Sequence, residues 1–339
     1  MAPTRPPPTA RLVFKEADEH KVHLEVWLPS AEQVEAAGKT KEEEEGKGVP
    51  VVVWCHGGAF FDGAASDCSD VNLLPVLQRG WAFVSPEYRQ VPQVTLDDAI
   101  QDVKDACEYV RSGGLDRALG GGKVRGEKLA VTGASAGGAL AIFASYTLSP
   151  PPLCSYSLYG SLDLLHPSYN APVQFPSGHI PYSQVASHLD PLGPVVSHSP
   201  AQVDFGTMVA EGRTRACFWA VQEGKVLPLS TRYQGPIDLE NPPEELKKYC
   251  ATHLVQTAKD PKRDIPPTVC VHGAVDLMVP KDLSRELVEV LKEKAVEAVY
   301  IEAEGKNHGF DLIPGTLDNE EDMKVHHAAN DFLAKYLDA

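Results

Sequence analysis

The chain has 339 residues, 43% hydrophobic and 23% charged, enough to bury a large core and to carry an appended subdomain. A net charge of -16, spread along the chain, argues against a nucleic-acid partner, because phosphate binding needs clustered Lys and Arg. No run approaches the roughly 18 consecutive apolar residues of a membrane span, and the seven cysteines show no paired spacing, no C-x-x-C and no companion H-E-x-x-H, so neither a disulfide framework nor a metal site is expected.

Residues 1–10, which open Met1-Ala2-Pro3-Thr4-Arg5-Pro6-Pro7-Pro8, lack an apolar signal core and read as a disordered lead-in, consistent with a reduced, cytoplasmic setting. Arg11–Phe14 and Val22–Leu28 read as antiparallel edge strands, the second alternating clearly. Residues 31–49, with Glu42 to Glu45 in a row, read as a charged, solvated loop. Strands and helices then alternate. Pro50–Cys55 and Trp81–Pro86 are buried strands, and Asp97–Arg111 is an amphipathic helix with Ile100, Val103, Cys107 and Val110 on one face. A hydrophilic stretch from Gly120 to Lys128 precedes the strand Leu129–Thr132, and Ala139–Ala144 is a helix small enough to pack under a sheet. Ser155–Tyr159 and Thr268–His272 are further strands, Val279–Lys294 a helix, Ala298–Ala303 a strand and Asp318–Leu337 a closing helix. Such alternation predicts an α/β fold with a mostly parallel central sheet covered on both faces. Residues 164–265 break the rhythm. They are rich in Pro, His, Ser and aromatics, and read as a cap or lid inserted between core segments 11–163 and 266–339. Phe205, Phe218, Trp219, Tyr233 and Tyr249 need burial there, and 206–221 and 243–257 are candidate cap helices.

Four loops carry chemistry. Between strand and helix stands Gly133-Ala134-Ser135-Ala136-Gly137, a G-x-S-x-G sequence that suits a sharp turn presenting a serine hydroxyl. A serine needs a base to take its proton and an acid to orient that base. Asp276 follows the strand Thr268–His272, and His308, in a Gly-flanked loop, follows the last strand, in the chain order Ser, acid, His. His326 and His327 lie in the terminal helix, His272 ends its strand, and Asp311 falls after the histidine; none suits the role as well. His56-Gly57-Gly58-Ala59-Phe60 follows the strand Val51–Cys55. Its glycines let backbone amides approach a developing oxyanion, so Gly57, Gly58 and the amide of Ala136 are the expected donors, with His56 bracing the loop.

These motifs resemble the hormone-sensitive-lipase-like family of α/β-hydrolases, which includes bacterial esterases and plant carboxylesterases. The resemblance runs from about Val51 to the C-terminus and rests on His56 through Phe60 with Gly63, on Gly133, Ser135, Ala136, Gly137 and Gly138, and on Tyr88-Arg89. The family usually has Asp where this chain has Ala134. Its D-P-L-x-D acid motif is replaced by Asp276-Leu277-Met278-Val279-Pro280, a form closer to dienelactone hydrolases and peptidase-type hydrolases. Its cap is built largely from N-terminal helices, which are replaced here by strands. The resemblance implies an α/β-hydrolase fold and a Ser135-His308-Asp276 triad. It further implies cleavage of carboxylic esters through an acyl-enzyme, with no cofactor, and the aromatic, Pro-rich cap suggests small to medium, partly apolar substrates. Phe60, Phe61 and Trp219 are the expected substrate contacts, and a homodimer is an admissible assembly. The same machinery could cleave an amide, as in aryl formamidases, or a lactone or thioester. A non-catalytic receptor, as among plant gibberellin receptors that have lost the histidine, is disfavoured because His308 is present.

Overall fold

A computed structural model describes residues 4–17, 19–39, 48–174, 178–204 and 209–339, without the side chains of 203, 204 and 209. Eight strands form one sheet: β1 (Ala10–Ala17), β2 (His20–Trp27), β3 (Val49–Cys55), β4 (Ala82–Pro86), β5 (Val124–Ala134), β6 (Cys154–Leu158), β7 (Thr268–Gly273) and β8 (Ala298–Ala303). They lie in the order β1-β2-β4-β3-β5-β6-β7-β8. β1, β2 and β4 pair antiparallel, and every later neighbour pairs parallel.

The unbroken apolar run of β3 reflects burial on both faces. Val51, Val53 and Cys55 pack into one layer with α2 (Leu96–Arg111), α3 (Ala136–Ser145) and α6 (Asp282–Glu293). Val52 and Trp54 point the other way, toward α1 (Asp70–Gln78) and α7 (Glu320–Leu337). Each fully buried Val or Leu in these layers contributes about 1.5–3 kcal/mol relative to exposure. α2 starts at a reciprocal cap, where the Thr95 hydroxyl accepts from the Asp98 amide and the Asp98 carboxylate accepts from the Thr95 amide. Val103, Cys107 and Val110 face the sheet as expected. α2 also buries Asp102, which accepts from Arg89 Nε at 2.9 Å, from the Arg89 amide at 2.9 Å and from Lys15 Nζ at 2.6 Å. That network fixes the chain just after β4.

Several expectations are corrected. From Arg5 onward the lead-in is held: Arg5 Nε donates to Asp70 Oδ1 at 2.6 Å, and Trp27 Nε1 donates to the Pro6 carbonyl at 3.0 Å. Residues 31–36 of the expected charged loop are helical, because Ser30 and Gln33 form a reciprocal cap; Glu42 to Glu45 lie outside the described residues. β5 begins at Val124, inside the stretch read as loop. There Gly126 sits where the Val110 carbonyl of α2 leaves no room for a Cβ. Between β6 and β7, α4 (Gly212–Gln222) starts later than expected, and 243–257 divides into a 3₁₀ turn, Glu244–Tyr249, and α5 (Ala251–Thr257). Phe218 and Tyr249 are buried, Trp219 and Tyr233 half-buried, and Phe205 lies outside the described residues. The base of this long segment is closed where the Leu164 amide donates to the Tyr249 carbonyl and the Ala251 amide to the Leu162 carbonyl.

All seven cysteines are unbridged. Among the described residues, no helix is long and apolar enough to cross a membrane.

One buried group on α7 predicts a pH response. His326 is 1% exposed, and neither ring nitrogen has a hydrogen-bond partner among the described residues. Burial pushes it down from 6.5 to about 4, against the opposing charge of Asp311. Between those pH values the unfolded chain binds a proton that the folded chain refuses. Stability from this group is therefore complete above pH 6.5 and falls as pH drops toward 4, by up to about 3 kcal/mol. Urea unfolding of His326→Leu across this range should show a correspondingly shallower acid decline than the wild type. Parallel declines would remove His326 as the cause.

Candidate active site

The carboxyl ends of β3, β5, β7 and β8 converge on one rim, where the loops after them meet. Ser135 stands between β5 and α3 with φ +56° and ψ −123°, a conformation that costs a non-glycine residue about 1–3 kcal/mol. It is held there by its own amide, which donates to the Leu158 carbonyl at 2.9 Å, and by its carbonyl, which accepts from Ser161. The flanking glycines answer to space. A Cβ on Gly137 would overlap the carbonyls of Cys55 and His56, and one on Gly133 would overlap the Gly137 carbonyl.

His308 Nε2 lies 3.0 Å from Ser135 Oγ, and His308 Nδ1 lies 2.8 Å from Asp276 Oδ2. With the proton on Nδ1 donated to the carboxylate, Nε2 is free to accept from the serine hydroxyl. The other Asp276 oxygen accepts from the amides of Met278 (2.8 Å) and Val279 (2.9 Å), an Asx-type turn supplied by the D-L-M-V sequence. Burial by itself would raise the Asp276 carboxyl. Hydrogen bonds from His272 and His308 outweigh it and hold the group well below the usual carboxylate range. It therefore stays ionised at neutral pH.

His272 stands behind the acid: its Nδ1 lies 2.8 Å from Ser284 Oγ, and its Nε2 lies 3.0 Å from the Val279 carbonyl and 3.3 Å from Asp276. Asp311 faces the Tyr159 hydroxyl, Ser69 and Asn72.

The H-G-G loop is oriented from below. His56 Nδ1 donates to the Gly57 carbonyl at 2.8 Å, and its ring stacks on Tyr88 at 4.2 Å. Burial lowers the His56 pKa, so the ring is neutral at pH 7. The Tyr88 hydroxyl bridges the carbonyls of His56 (3.1 Å) and Gly57 (3.0 Å). A trans peptide points its N–H opposite its C=O, so fixing these two carbonyls turns the amides of Gly57 and Gly58 to the other side. Gly57 itself lies against Ser135, and a Cβ there would come within 3.4 Å of the serine Cβ.

Ser135 and His308 open onto a cavity of about 880 Å³, its mouth included. Gly57, Gly58, Tyr159, Met278 and Leu312 line it from the core, and Thr214, Cys217, Phe218 and Val221 from α4. The expected contacts Phe60, Phe61 and Trp219 do not line it. Phe60 and Phe61 are each 1% exposed and belong to the core under the loop. Trp219 is turned about 100° around α4 from Phe218 and packs on Tyr182 at 5.2 Å instead. The positions 214, 217, 218 and 221 follow helical spacing, a signal that could have singled out Phe218 over its neighbour.

Asn307 was also missed. Its Oδ1 accepts from the amides of both Leu277 and His308, so one side chain joins the acid loop to the histidine loop. The adjacent Lys306-Asn307-His308 could have drawn attention to it. Tyr159, at φ +38°, packs its ring on His308 at 4.6 Å and carried no motif.

The family model BD-FAE, an alpha/beta hydrolase family, matches residues 40–152, which hold both the H-G-G loop and the serine turn. The non-reducing polyketide synthase ascC of Acremonium egyptiacum is 26% identical over 317 residues, covering 89% of this chain and 14% of its own length. Esterase LipC of Mycobacterium tuberculosis is 25% identical over 270 residues, covering 79% of this chain and 55% of its own. This chain thus spans about half of one relative and a small part of the other. A solved alpha/beta hydrolase superfamily protein from Enterococcus faecalis superposes with a TM-score of 0.65 at 15% identity, covering 93% of this chain and 96% of that one. The likeness of fold extends along nearly the whole chain, and the family model falls on the two loops that surround the serine. The chain has the alpha/beta-hydrolase fold, and over residues 40–152 it is similar to the BD-FAE family.

Proposed function

We propose that the protein is a serine hydrolase of the hormone-sensitive-lipase-like type, cleaving carboxylic esters of small to medium, partly apolar molecules. The observation that carries this reading is the unbroken relay Ser135 Oγ to His308 Nε2 at 3.0 Å and His308 Nδ1 to Asp276 at 2.8 Å, opening on the cavity.

In this reading Ser135 Oγ bonds to the ester carbonyl carbon as its proton passes to His308 Nε2. The amides of Gly57, Gly58 and Ala136 hold the tetrahedral oxyanion. The carbon–alkoxy bond then breaks, and His308 returns the proton to the departing alcohol. Water adds to the acyl carbon, its proton going to Nε2. Loss of the Ser135 oxygen, reprotonated by His308, releases the acid. Asp276 holds the imidazole tautomer throughout. Residues 164–265 act as the cap, a reading supported by the α4 side chains in the cavity wall. Bonds from Arg213 to the Phe61 and Val91 carbonyls and from Arg232 to the Pro92 carbonyl also support it.

A fluorophosphonate probe should label the wild type covalently and leave Ser135→Ala unlabelled; a folded wild type that stays unlabelled would return the chain to the ligand-binding class. The resemblance to segments of polyketide synthases favours a second reading, with a lactone or thioester as the bond cleaved. Rates on matched p-nitrophenyl esters, lactones, thioesters and formyl anilides distinguish these readings.

A further inference from the structure

Besides Ser135 and His308, the cavity wall carries three carboxylic acids, Asp62, Asp67 and Asp311, and among the described residues no Lys or Arg. Two of the acids are already engaged. Asp67 Oδ2 accepts from the amides of Ala64 (3.0 Å) and Ala201 (2.9 Å). Asp311 accepts from Ser69 Oγ (2.8 Å), from Asn72 Nδ2 (2.7 Å) and from the Tyr159 hydroxyl.

Asp62 differs. It is 1% exposed, and neither carboxyl oxygen has a hydrogen bond of good geometry among the described residues. The Thr214 hydroxyl and the Arg213 charge act on it from α4, but Arg213 directs its own donors to the Phe61 and Val91 carbonyls and to Gln93 Oε1. Burial pushes the Asp62 carboxyl up to about 7. Its position is set by the H-G-G loop. The Asp62 amide donates to the Gly58 carbonyl at 3.2 Å, and a Cβ on Gly58 would overlap Asp62 Oδ1. The unspent acceptor thus stands beside the backbone that faces Ser135. A carboxyl desolvated without donors is costly, and one in a pocket wall is satisfied by whatever enters the pocket.

We propose that Asp62 is a specificity-determining residue that accepts a hydrogen bond from a proton-donating group of the substrate, a hydroxyl or an ammonium, and that the cavity disfavours substrates bearing a carboxylate. The inference rests on the ester-hydrolase reading. The three acids and the missing cation give the cavity one sign of charge, which repels an anion. The apolar side chains of Cys217, Phe218, Val221 and Leu312 offer Asp62 no donor from the opposite wall, so its carboxyl is an acceptor that a substrate donor can engage.

The test is kcat/KM on p-nitrophenyl esters of hexanoic, 6-hydroxyhexanoic, 6-aminohexanoic and mono-adipic acids, repeated with acetates of the corresponding alcohols. In at least one series the hydroxyl or ammonium compound should exceed the unsubstituted ester by about 10- to 100-fold, with the carboxylate the poorest. Asp62→Leu should bring the donor-to-unsubstituted ratio to about 1. Asp62→Asn keeps a carbonyl acceptor without the charge, so it should retain a hydroxyl preference and lose an ammonium one. A wild type that cleaves unsubstituted esters as fast as donor-bearing ones in both series overturns the inference while the ester reading stands, as does an Asp62→Leu ratio equal to the wild type's. Should Asp62→Leu not fold, the wild-type ranking decides. Absence of hydrolysis of every ester, with no fluorophosphonate labelling, overturns both.

Discussion

Asp276→Asn should lower kcat about 10⁴-fold on any ester the wild type cleaves and leave KM nearly unchanged. Its Oδ1 accepts from the Met278 and Val279 amides, a role an asparagine carbonyl can keep. The amide NH₂ would then face His308 Nδ1, which must become an acceptor. The imidazole proton moves to Nε2, where it points at Ser135 Oγ and can no longer receive the serine proton. Geometry survives while the tautomer is wrong. Steady-state kinetics alongside circular dichroism check this, and a loss below about 10-fold would show that the carboxylate does not control the imidazole. His272, 3.3 Å from the same carboxylate, cannot substitute, because both of its ring nitrogens have their own partners, in Ser284 and the Val279 carbonyl.

Gly137→Ala should destabilise the fold by about 3 kcal/mol or more. The added methyl would meet the backbone oxygens of Cys55 and His56, not the free end of a flexible side chain, so α3 and the end of β3 must separate. β3 is central in the sheet, pairing with β5 from Val51 to Cys55, and α3 leads directly out of β5 through the serine turn. Denaturant unfolding measures the loss. A cost below 1 kcal/mol would mean that the junction yields more readily than its packing implies. Because β3 ends in the H-G-G loop, the surviving folded fraction should also be poorly labelled by the fluorophosphonate.

Much of this architecture is legible in the residues themselves. β8 occupies Ala298–Ala303 as its composition predicts, and β3, β4, β6 and β7 begin or end within a residue of expectation, because short, largely apolar runs between turn residues mark strands buried in the sheet. Ser135, Asp276 and His308 are legible because each sits in a loop directly after such a strand. What escaped reading depends on three-dimensional company. α1, Asp70–Gln78, is apolar nearly all round and contains Pro75, so it shows neither helical periodicity nor a helical composition; burial against α7 sustains it. Phe60 and Phe61 lie beside the H-G-G glycines in sequence, yet the left-handed backbone at Ala59 (φ +48°) and Phe60 (φ +75°) turns the chain back into the core. Asp62 has no pattern at all in one dimension, since its peculiarity is a buried carboxyl without a well-formed hydrogen bond.

The double acceptance by Asn307 has a consequence for any rebuilding of this scaffold. Since one amide oxygen ties the backbone of Leu277 to that of His308, the two turns are geared together and cannot be grafted separately. A loop transplanted from another protein of this fold at either turn would arrive without its counterpart's anchor, and only an exchange of both as a matched set would carry the alignment across.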